Sequence, residues 1–184
     1  MQHALAKIDL FNLNRIPDFE PRRGPELSHY VASAQGRLLF MPIRSAPEET
    51  IKNWLASLDG ADQSDLRSDF NQTTLAIWQR THSGHRSFTV IRHPAARAHR
   101  VFCSRVLSSG IQKLTRVRKI MDRVYRMKLP ENTDDDSYDV ATHRTTFIRF
   151  LRFLKVNLSN QTNIRIDPYW ASQSQTIWTM AQHV

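Results

Sequence analysis

The chain has 184 residues, a length typical of one domain, and 40% of them are hydrophobic, which is enough to build a sizeable core. Its single cysteine cannot form an internal disulfide, so we expect a cytoplasmic protein and no cysteine-based zinc site. No apolar run approaches the roughly 18 residues of a membrane-spanning helix, and the first residues lack a signal-peptide core.

The formal net charge of +9 is concentrated in one segment of the chain. Residues 92–128 hold 11 arginines and lysines and a single acid, Asp122, whereas the rest of the chain is close to neutral. A local positive field of this kind attracts a polyanion, a phosphorylated small molecule or an anionic surface. Charge alone fits a solvated helical face equally well.

The predicted elements of the first half begin after an irregular lead-in over residues 1–28. An apolar run over 37–43 predicts a β-strand, and apolar residues at helical spacing predict a helix over 47–58. A second helix is predicted over 73–80, and the sequence from His82 to His85 predicts a turn around a glycine.

The second half is predicted to contain one more buried strand and several helices. The strand covers 87–91, and a helix over 94–107 follows it with a proline in its first turn. Amphipathic spacing predicts further helices over 111–124 and 142–158, and residues 163–167 are expected to form a short edge strand.

The alternation of strand and helix, followed by further helices, predicts a single α/β domain over 1–184 with a small parallel sheet and a helix-rich C-terminal half. In such sheets ligands bind at the carboxyl ends of the strands, where the following helices direct their N-termini. The second strand brings Arg92 to that edge, and a guanidinium can pair with phosphate through two hydrogen bonds. Arg97 and Arg100 can extend toward the same place, because helical side chains lean toward the N-terminus.

The segment FTVIRHPAARAHRVF, residues 88–102, resembles the 3′-phosphate-binding segment of the sulfotransferase family. The family pattern is an apolar strand followed by arginine, proline, a second arginine, a serine and an aromatic residue. Four residues of this chain match it: Arg92, Pro94, Arg97 and Phe102. Arg100 stands where the family has the serine.

Two further segments resemble carbohydrate-type sulfotransferases. Residues 36–58 are similar to their first strand, 5′-phosphosulfate loop and first helix. Residues 150–177 are similar to a later helix and to a segment in which an aromatic pair, here Tyr169-Trp170, precedes a glutamine, here Gln173. Order and spacing agree over most of the chain.

The resemblance implies a P-loop-like fold that uses 3′-phosphoadenosine 5′-phosphosulfate (PAPS), an anionic nucleotide, as co-substrate and needs no metal. It implies that Arg92 holds the 3′-phosphate of this nucleotide. Ser45, in the loop after the first strand, and His93, in the loop after the second strand, are further candidates for nucleotide binding. Arg97 and Arg100, on the helix that follows the second strand, are two more.

The implied reaction transfers a sulfuryl group to a hydroxylated small molecule or glycan. The hydroxyl oxygen attacks sulfur in line, the bond from sulfur to the nucleotide breaks, and a base takes the hydroxyl proton. His82 and His85 are candidates for this base, with ordinary turn residues as the alternative. Arg44 is the available substitute for the family's catalytic lysine, which stabilises charge on the leaving nucleotide.

The 5′ loop departs from the family pattern in ways that weaken an anion site. The family's Pro-Lys pair is replaced by Arg44-Ser45, and Pro47 or Glu48 stands where a glycine would let the backbone wrap a phosphate. A proline removes one N–H donor, and a glutamate places negative charge where the anion would lie. The chain also stops before an expected final strand and acidic segment, so we expect a shortened member or a fragment.

Two alternatives to an active sulfotransferase stay open. The first is a relative without catalytic activity that keeps the fold for binding. The second is a nucleic-acid-binding protein that uses the basic segment 92–128, which we regard as less favoured because the sequence shows no aromatic interleaving for base stacking. The scattered histidines predict no metal site, Cys103 is expected to be a packed core thiol, and the oligomeric state is not predicted.

Overall fold

The computed structural model describes residues 27–108, 114–130, 138–162 and 164–181. Within these ranges the chain is an α/β protein with three short strands and six α-helices. In chain order the elements are β1 (Val31–Ser33), β2 (Leu38–Phe40), α1 (Glu48–Asp59), α2 (Gln72–Thr81), β3 (Arg86–Phe88), α3 (Pro94–Val101), α4 (Thr115–Tyr125), α5 (Val140–Leu158) and α6 (Gln173–Ala181). Short 3-10 turns cover Leu27–His29 and Gln63–Asp65, and α3 continues into a π-helical turn, Phe102–Leu107.

The sheet is mixed and has the order β1-β2-β3. The strands β2 and β3 are parallel neighbours, with Leu38 opposite Arg86 and Phe40 opposite Phe88. The strand β1 pairs antiparallel with β2, with Val31 opposite Phe40. The two predicted strands are therefore confirmed as parallel neighbours, but both are shorter than predicted. The second covers Arg86–Phe88 instead of 87–91, and its residues are exposed or half-buried, so the expectation of a buried strand is wrong. The expectation of a purely parallel sheet is also wrong, because β1 adds an antiparallel edge.

The strand β1 was not predicted because three residues are too few to show the alternation of a strand. The turn that joins it to β2 is held from outside the sheet by the last residue of α1. The Asp59 carboxylate accepts hydrogen bonds from Ser33 Oγ at 2.5 Å and from the backbone N–H groups of Ala34 and Gln35 at 3.1 and 3.2 Å. This contact between distant residues fixes the hairpin that the local sequence leaves undecided.

The predicted helices are confirmed with small shifts at their ends. Gly60 ends α1 in the left-handed conformation, with a φ of 62° that glycine adopts without strain. Asn71 caps α2 by accepting a hydrogen bond from the Thr74 backbone N–H at 2.9 Å. The helix predicted over 111–124 is described only from residue 114 onward, since 111–113 lie outside the described ranges.

The C-terminal segment differs from the prediction. Residues 164–167 form no strand, so the expected edge strand is wrong over the part that is described. The helix α6 covers residues whose secondary structure the sequence analysis left unassigned. Trp170 donates its indole N–H to the Asn157 amide oxygen at 2.8 Å, which anchors this segment to α5.

Three groups of buried side chains surround the sheet and the helices. Because alternate residues of β2 point to opposite faces, Leu39 packs with α2 on one face and Phe40 packs with α1 on the other. The third group fills the space between α3, α4 and α5, with Phe102, Phe150 and Phe153 fully buried. Among the described residues, no helix is both long and apolar enough to cross a bilayer.

Candidate functional site

The loops after β2 and β3 leave the sheet at the same end, because these two strands are parallel. Residues 41–47 and 89–93, together called the carboxyl edge below, connect the two strands to α1 and α3. A hydrogen bond of 2.9 Å from the Met41 N–H to the Phe88 carbonyl oxygen extends the pairing into this edge. The N-termini of both helices are therefore directed to one place, which is where α/β proteins bind ligands.

Arg92 lies on the carboxyl edge with its backbone fixed and its side chain uncommitted. Its backbone N–H donates to Gln173 Oε1 at 3.0 Å, and Gln173 Nε2 donates to its carbonyl oxygen at 2.9 Å. The glutamine amide thus pairs with the backbone as a neighbouring strand would. The described part of the chain offers the Arg92 guanidinium, which is partly buried, neither a hydrogen bond nor an ion pair.

Arg97, which lies on α3, has a structural role. Its side chain is only 5% exposed, and it donates from Nε to the Arg44 carbonyl at 3.1 Å. Its two terminal nitrogens donate to the carbonyls of Ala171 at 2.8 Å and Pro168 at 3.2 Å. Burial lowers the pKa of this guanidinium, which stabilises three carbonyl oxygens on two segments instead of facing a ligand.

Arg44 and a residue that the sequence analysis did not single out, Arg105, share one aromatic ring. The guanidinium carbons lie 5.6 Å and 4.1 Å from the centre of the Tyr169 ring, within the range of cation–π attraction. Arg44 Nη2 also lies 2.7 Å from Nε2 of His29. Arginine can only donate, so this histidine nitrogen is the acceptor of the hydrogen bond.

The segment 168–173 gathers four arginines at the carboxyl edge. It contacts Arg44 and Arg105 through Tyr169, Arg97 through two carbonyls, and Arg92 through Gln173. Arg105 follows Arg97 by eight residues, a spacing that leaves two residues about 80° apart around a regular α-helix, so the sequence contained only a partial signal for it. The edge is strongly cationic and could hold an anion.

His82 and His85 lie away from this edge. They precede β3, so they are at its amino end, whereas Arg92 follows its carboxyl end. Nδ1 of His82 donates to the Trp78 carbonyl at 2.9 Å, and its ring stacks on the Trp78 ring at 4.6 Å. His85 meets the same indole edge-on at 5.2 Å. Both imidazoles therefore pack on one tryptophan at the opposite end of the sheet.

The loop that leads into α1 has little capacity to wrap a phosphate. Ser45 adopts a left-handed backbone with a φ of 67°, and Pro47 precedes the first helical residue without a side-chain cap. Glu48 pairs with Lys52 at 2.8 Å, and this hydrogen bond raises the pKa of the lysine. The positive end of α1 is therefore already compensated by the helix's own carboxylates.

The remaining predicted contacts on α3 are exposed. His93 precedes the first residue of α3 and makes no side-chain cap, and Arg100 is exposed in its last turn. Arg118, from the same basic segment, is 6% exposed and donates to the carbonyls of Val106 and Pro130. Part of the charge in 92–128 thus stabilises the fold, and the net charge overstates the positive surface available to a polyanion.

A cavity of about 450 Å³ lies beside the start of α1. Most of the residues that line it have polar side chains, among them Ser28, His29, Glu48, Gln63, Ser64 and Asp69, and Val31 and Leu66 add apolar surface. His29 contacts both this cavity and Arg44, so the cavity adjoins the carboxyl edge.

Comparisons with known proteins do not assign the chain to a family. No protein-family model, curated protein or solved structure matches it. The resemblance to sulfotransferases is therefore neither supported nor refuted by relatives, and a function has to be inferred from the residues and their geometry.

Proposed function

We propose that the protein is a sulfotransferase-type enzyme that binds PAPS at the carboxyl edge and transfers its sulfuryl group to a hydroxyl acceptor. The observation that carries the proposal is the state of Arg92. Gln173 fixes its backbone through two hydrogen bonds, while the guanidinium has no partner among the described residues. A positioned guanidinium beside a helix N-terminus carries a charge opposite to that of a phosphate and can donate two parallel hydrogen bonds to its oxygens.

In this proposal the arginines of the edge have different roles. Arg92 binds the 3′-phosphate, and Arg44, held over Tyr169, stabilises the charge of the 5′-phosphosulfate. Arg97 is a positioning residue, because it binds the Arg44 carbonyl and the segment that carries Tyr169. His93, Arg100 and Ser45 remain candidates for contacts at the rim of the site.

The polar cavity beside α1 is the place we assign to the hydroxylated acceptor. A saccharide presents many hydroxyl groups, and side chains that both donate and accept hydrogen bonds suit such a ligand. The cavity reaches Arg44 through His29, so an acceptor there would approach the phosphosulfate from the side of the first loop.

Binding without transfer is a second candidate function, and the start of α1 favours it. Pro47, the Glu48–Lys52 pair and the missing glycine all weaken the 5′ site. The histidines predicted as bases pack on Trp78 at the other end of β3. A protein with this arrangement would hold the nucleotide through Arg92 and leave the sulfuryl group in place.

Calorimetric titration with 3′-phosphoadenosine 5′-phosphate tests the binding step shared by both candidates. We expect micromolar binding to the full chain and a loss of affinity of about tenfold or more in Arg92→Ala, because a charged hydrogen-bonded pair is removed. Arg86→Ala is the matched control, since Arg86 is an exposed arginine at the amino end of the same strand. Absence of heat, or equal losses in both variants, would contradict the proposal.

A transfer assay then separates the two candidates. The protein is incubated with radiolabelled PAPS and a mixture of glycan acceptors, and labelled product is counted. Product that depends on Arg44 supports the enzyme, whereas binding without product supports the second candidate. Absence of nucleotide binding together with salt-sensitive binding to generic RNA would replace both with a nucleic-acid-binding function.

A further inference from the structure

His99, Cys103 and His143 come together where α3 packs against α5. The Nε2 atoms of the two histidines are 2.9 Å apart, and Cys103 Sγ is 3.8 Å from Nε2 of His99. Each residue offers a ligand atom within 4.8 Å of the other two. These are soft and borderline donors of the kind that bind zinc and related transition metals.

Two of the three residues in this cluster can be recognised from their spacing in the sequence. His99 and Cys103 are four residues apart, so on a helix they occupy one face. The expectation of no metal site rested on the spacing of histidines and carboxylates and left out a cysteine at this distance. His143 could not be found from sequence, because its approach depends on how α5 packs.

Two of the three distances between donor atoms are close to those around a single ion, and the third, from Cys103 to His143, lies within 4.8 Å. Bond lengths of about 2.0 Å to nitrogen and 2.3 Å to sulfur in a tetrahedron place two nitrogens about 3.3 Å apart and nitrogen about 3.6 Å from sulfur. The observed 2.9 and 3.8 Å differ from these values by a few tenths of an ångström, which small side-chain rotations can supply.

Aromatic rings hold both imidazoles in place. The His99 ring meets Phe147 edge-on at 5.0 Å, and the His143 ring meets Phe102 at 5.3 Å and Tyr138 at 5.7 Å. Preorganised ligands lose less conformational entropy when the metal binds.

The backbone on both sides of the cluster is also fixed. Cys103 lies in the π-helical turn that follows α3, a local geometry frequent at functional sites. Asp139 caps α5, which begins at Val140. Its carboxylate accepts a hydrogen bond from the Thr142 N–H at 2.7 Å. His143 is therefore presented from the first turn of a capped helix.

We propose that His99, Cys103 and His143 bind one zinc-class divalent ion through two imidazole nitrogens and a thiolate, with a fourth coordination position open to solvent. His99 is exposed, so an ion there would be reachable by water or by a small ligand. Three protein ligands with one open position are typical of zinc sites that do more than hold a fold together. The binding of the ion displaces the thiol proton to solvent.

Cobalt titration of the full chain tests this site, because Co²⁺ takes zinc geometry and reports its ligands optically. After removal of any tag and treatment with chelator and reductant, we expect one Co²⁺ per chain and a near-ultraviolet band from thiolate-to-cobalt charge transfer. Zinc should displace the cobalt. Cys103→Ser should abolish the band, and His143→Gln should weaken binding by about tenfold or more.

His85→Gln is the matched control, since it removes a histidine from the far end of β3 and should leave cobalt binding unchanged. Circular dichroism confirms that each variant is folded. A wild-type chain without the charge-transfer band would overturn the proposal, as would a band that persists in Cys103→Ser or an equal loss of affinity in His85→Gln and His143→Gln.

Discussion

The two sides of α3 use their polar residues in different ways. On the side of the sheet, the buried Arg97 guanidinium donates to three backbone carbonyls. On the side of α5, Nε2 of His99 lies 2.9 Å from Nε2 of His143 and 3.8 Å from Sγ of Cys103, so its polar atom contacts two other titratable side chains. A titratable or charged residue near a ligand edge therefore has to be judged by what its polar atoms already contact.

The same criterion separates Arg92 from Arg97, although they lie on one strand-loop-helix segment and both match the sulfotransferase pattern. The Arg97 side chain donates hydrogen bonds to backbone carbonyls, whereas the Arg92 side chain has no hydrogen-bond partner among the described residues. We therefore expect removal of Arg97 to affect folding first and removal of Arg92 to affect binding first.

The largest expected effect is that of Arg97→Ala on stability. The substitution leaves three carbonyls without a donor and opens a cavity, so the free energy of unfolding should fall by about 3–5 kcal/mol. Arg97→Lys keeps the charge but not the planar, forked guanidinium. Its free energy of unfolding should therefore lie between those of wild type and Arg97→Ala. Urea denaturation provides the measurement, with the exposed Arg100→Ala as control, expected within about 0.5 kcal/mol of wild type. Equal stability of both alanine variants would remove the structural role of Arg97.

Gln173→Ala sharpens the comparison at Arg92. Loss of the two amide hydrogen bonds should lower the free energy of unfolding by about 1–3 kcal/mol. It should also weaken nucleotide binding, because the Arg92 backbone is no longer fixed. Ser174→Ala, in the same turn of α6, is a suitable control. Weaker stability with unchanged nucleotide affinity would mean that Arg92 needs no positioning.

The helix cap at Asn71 provides an intermediate effect far from both sides of α3. Asn71→Ala removes the hydrogen bond to the Thr74 N–H, and the free energy of unfolding should fall by about 1 kcal/mol. Nucleotide and cobalt affinities should both stay as in wild type. A change in either affinity would show that stability alone can mimic the effects expected at α3.

The smallest expected effect at neutral pH is that of Tyr30→Phe. Burial raises the pKa of Tyr30 to about 12, and its hydroxyl has no hydrogen-bond partner among the described residues. The variant should therefore be at least as stable as wild type at pH 7. The unfolded chain ionises this phenol more easily than the folded one, so wild-type stability should fall as pH rises above about 10. Thermal melts across this range should show a weaker decline in the variant, and parallel declines would contradict the prediction.

Much of the architecture was predictable because it follows from local patterns of apolar and polar residues. An apolar run located β2, and apolar residues at helical spacing located α1 and α5. The run predicted as the second strand, 87–91, overlaps β3 only at its first two residues. The strand β1 and the helix α6 were missed because they depend on contacts with distant residues, Asp59 for the first and Arg92 for the second. The periodicity of a short segment does not indicate contacts with residues that are distant in the chain.

The candidate site was predictable in part for the same reason. The position of Arg92 follows from the strand before it and from Pro94 after it. The role of Arg97 depends on segment 168–171, which is more than 70 residues away in the chain. For His82 and His85 the direction of the strand was sufficient information, since residues that precede a parallel strand lie at its amino end.

The assignment of Arg92 to a 3′-phosphate is tested most directly by calorimetry with two nucleotides that differ only in that group. We predict that wild type binds 3′-phosphoadenosine 5′-phosphate at least about tenfold more tightly than adenosine 5′-phosphate. In Arg92→Ala the two affinities should become nearly equal, while Arg86→Ala keeps the wild-type ratio. The same ratio in wild type and in Arg92→Ala would contradict the assignment.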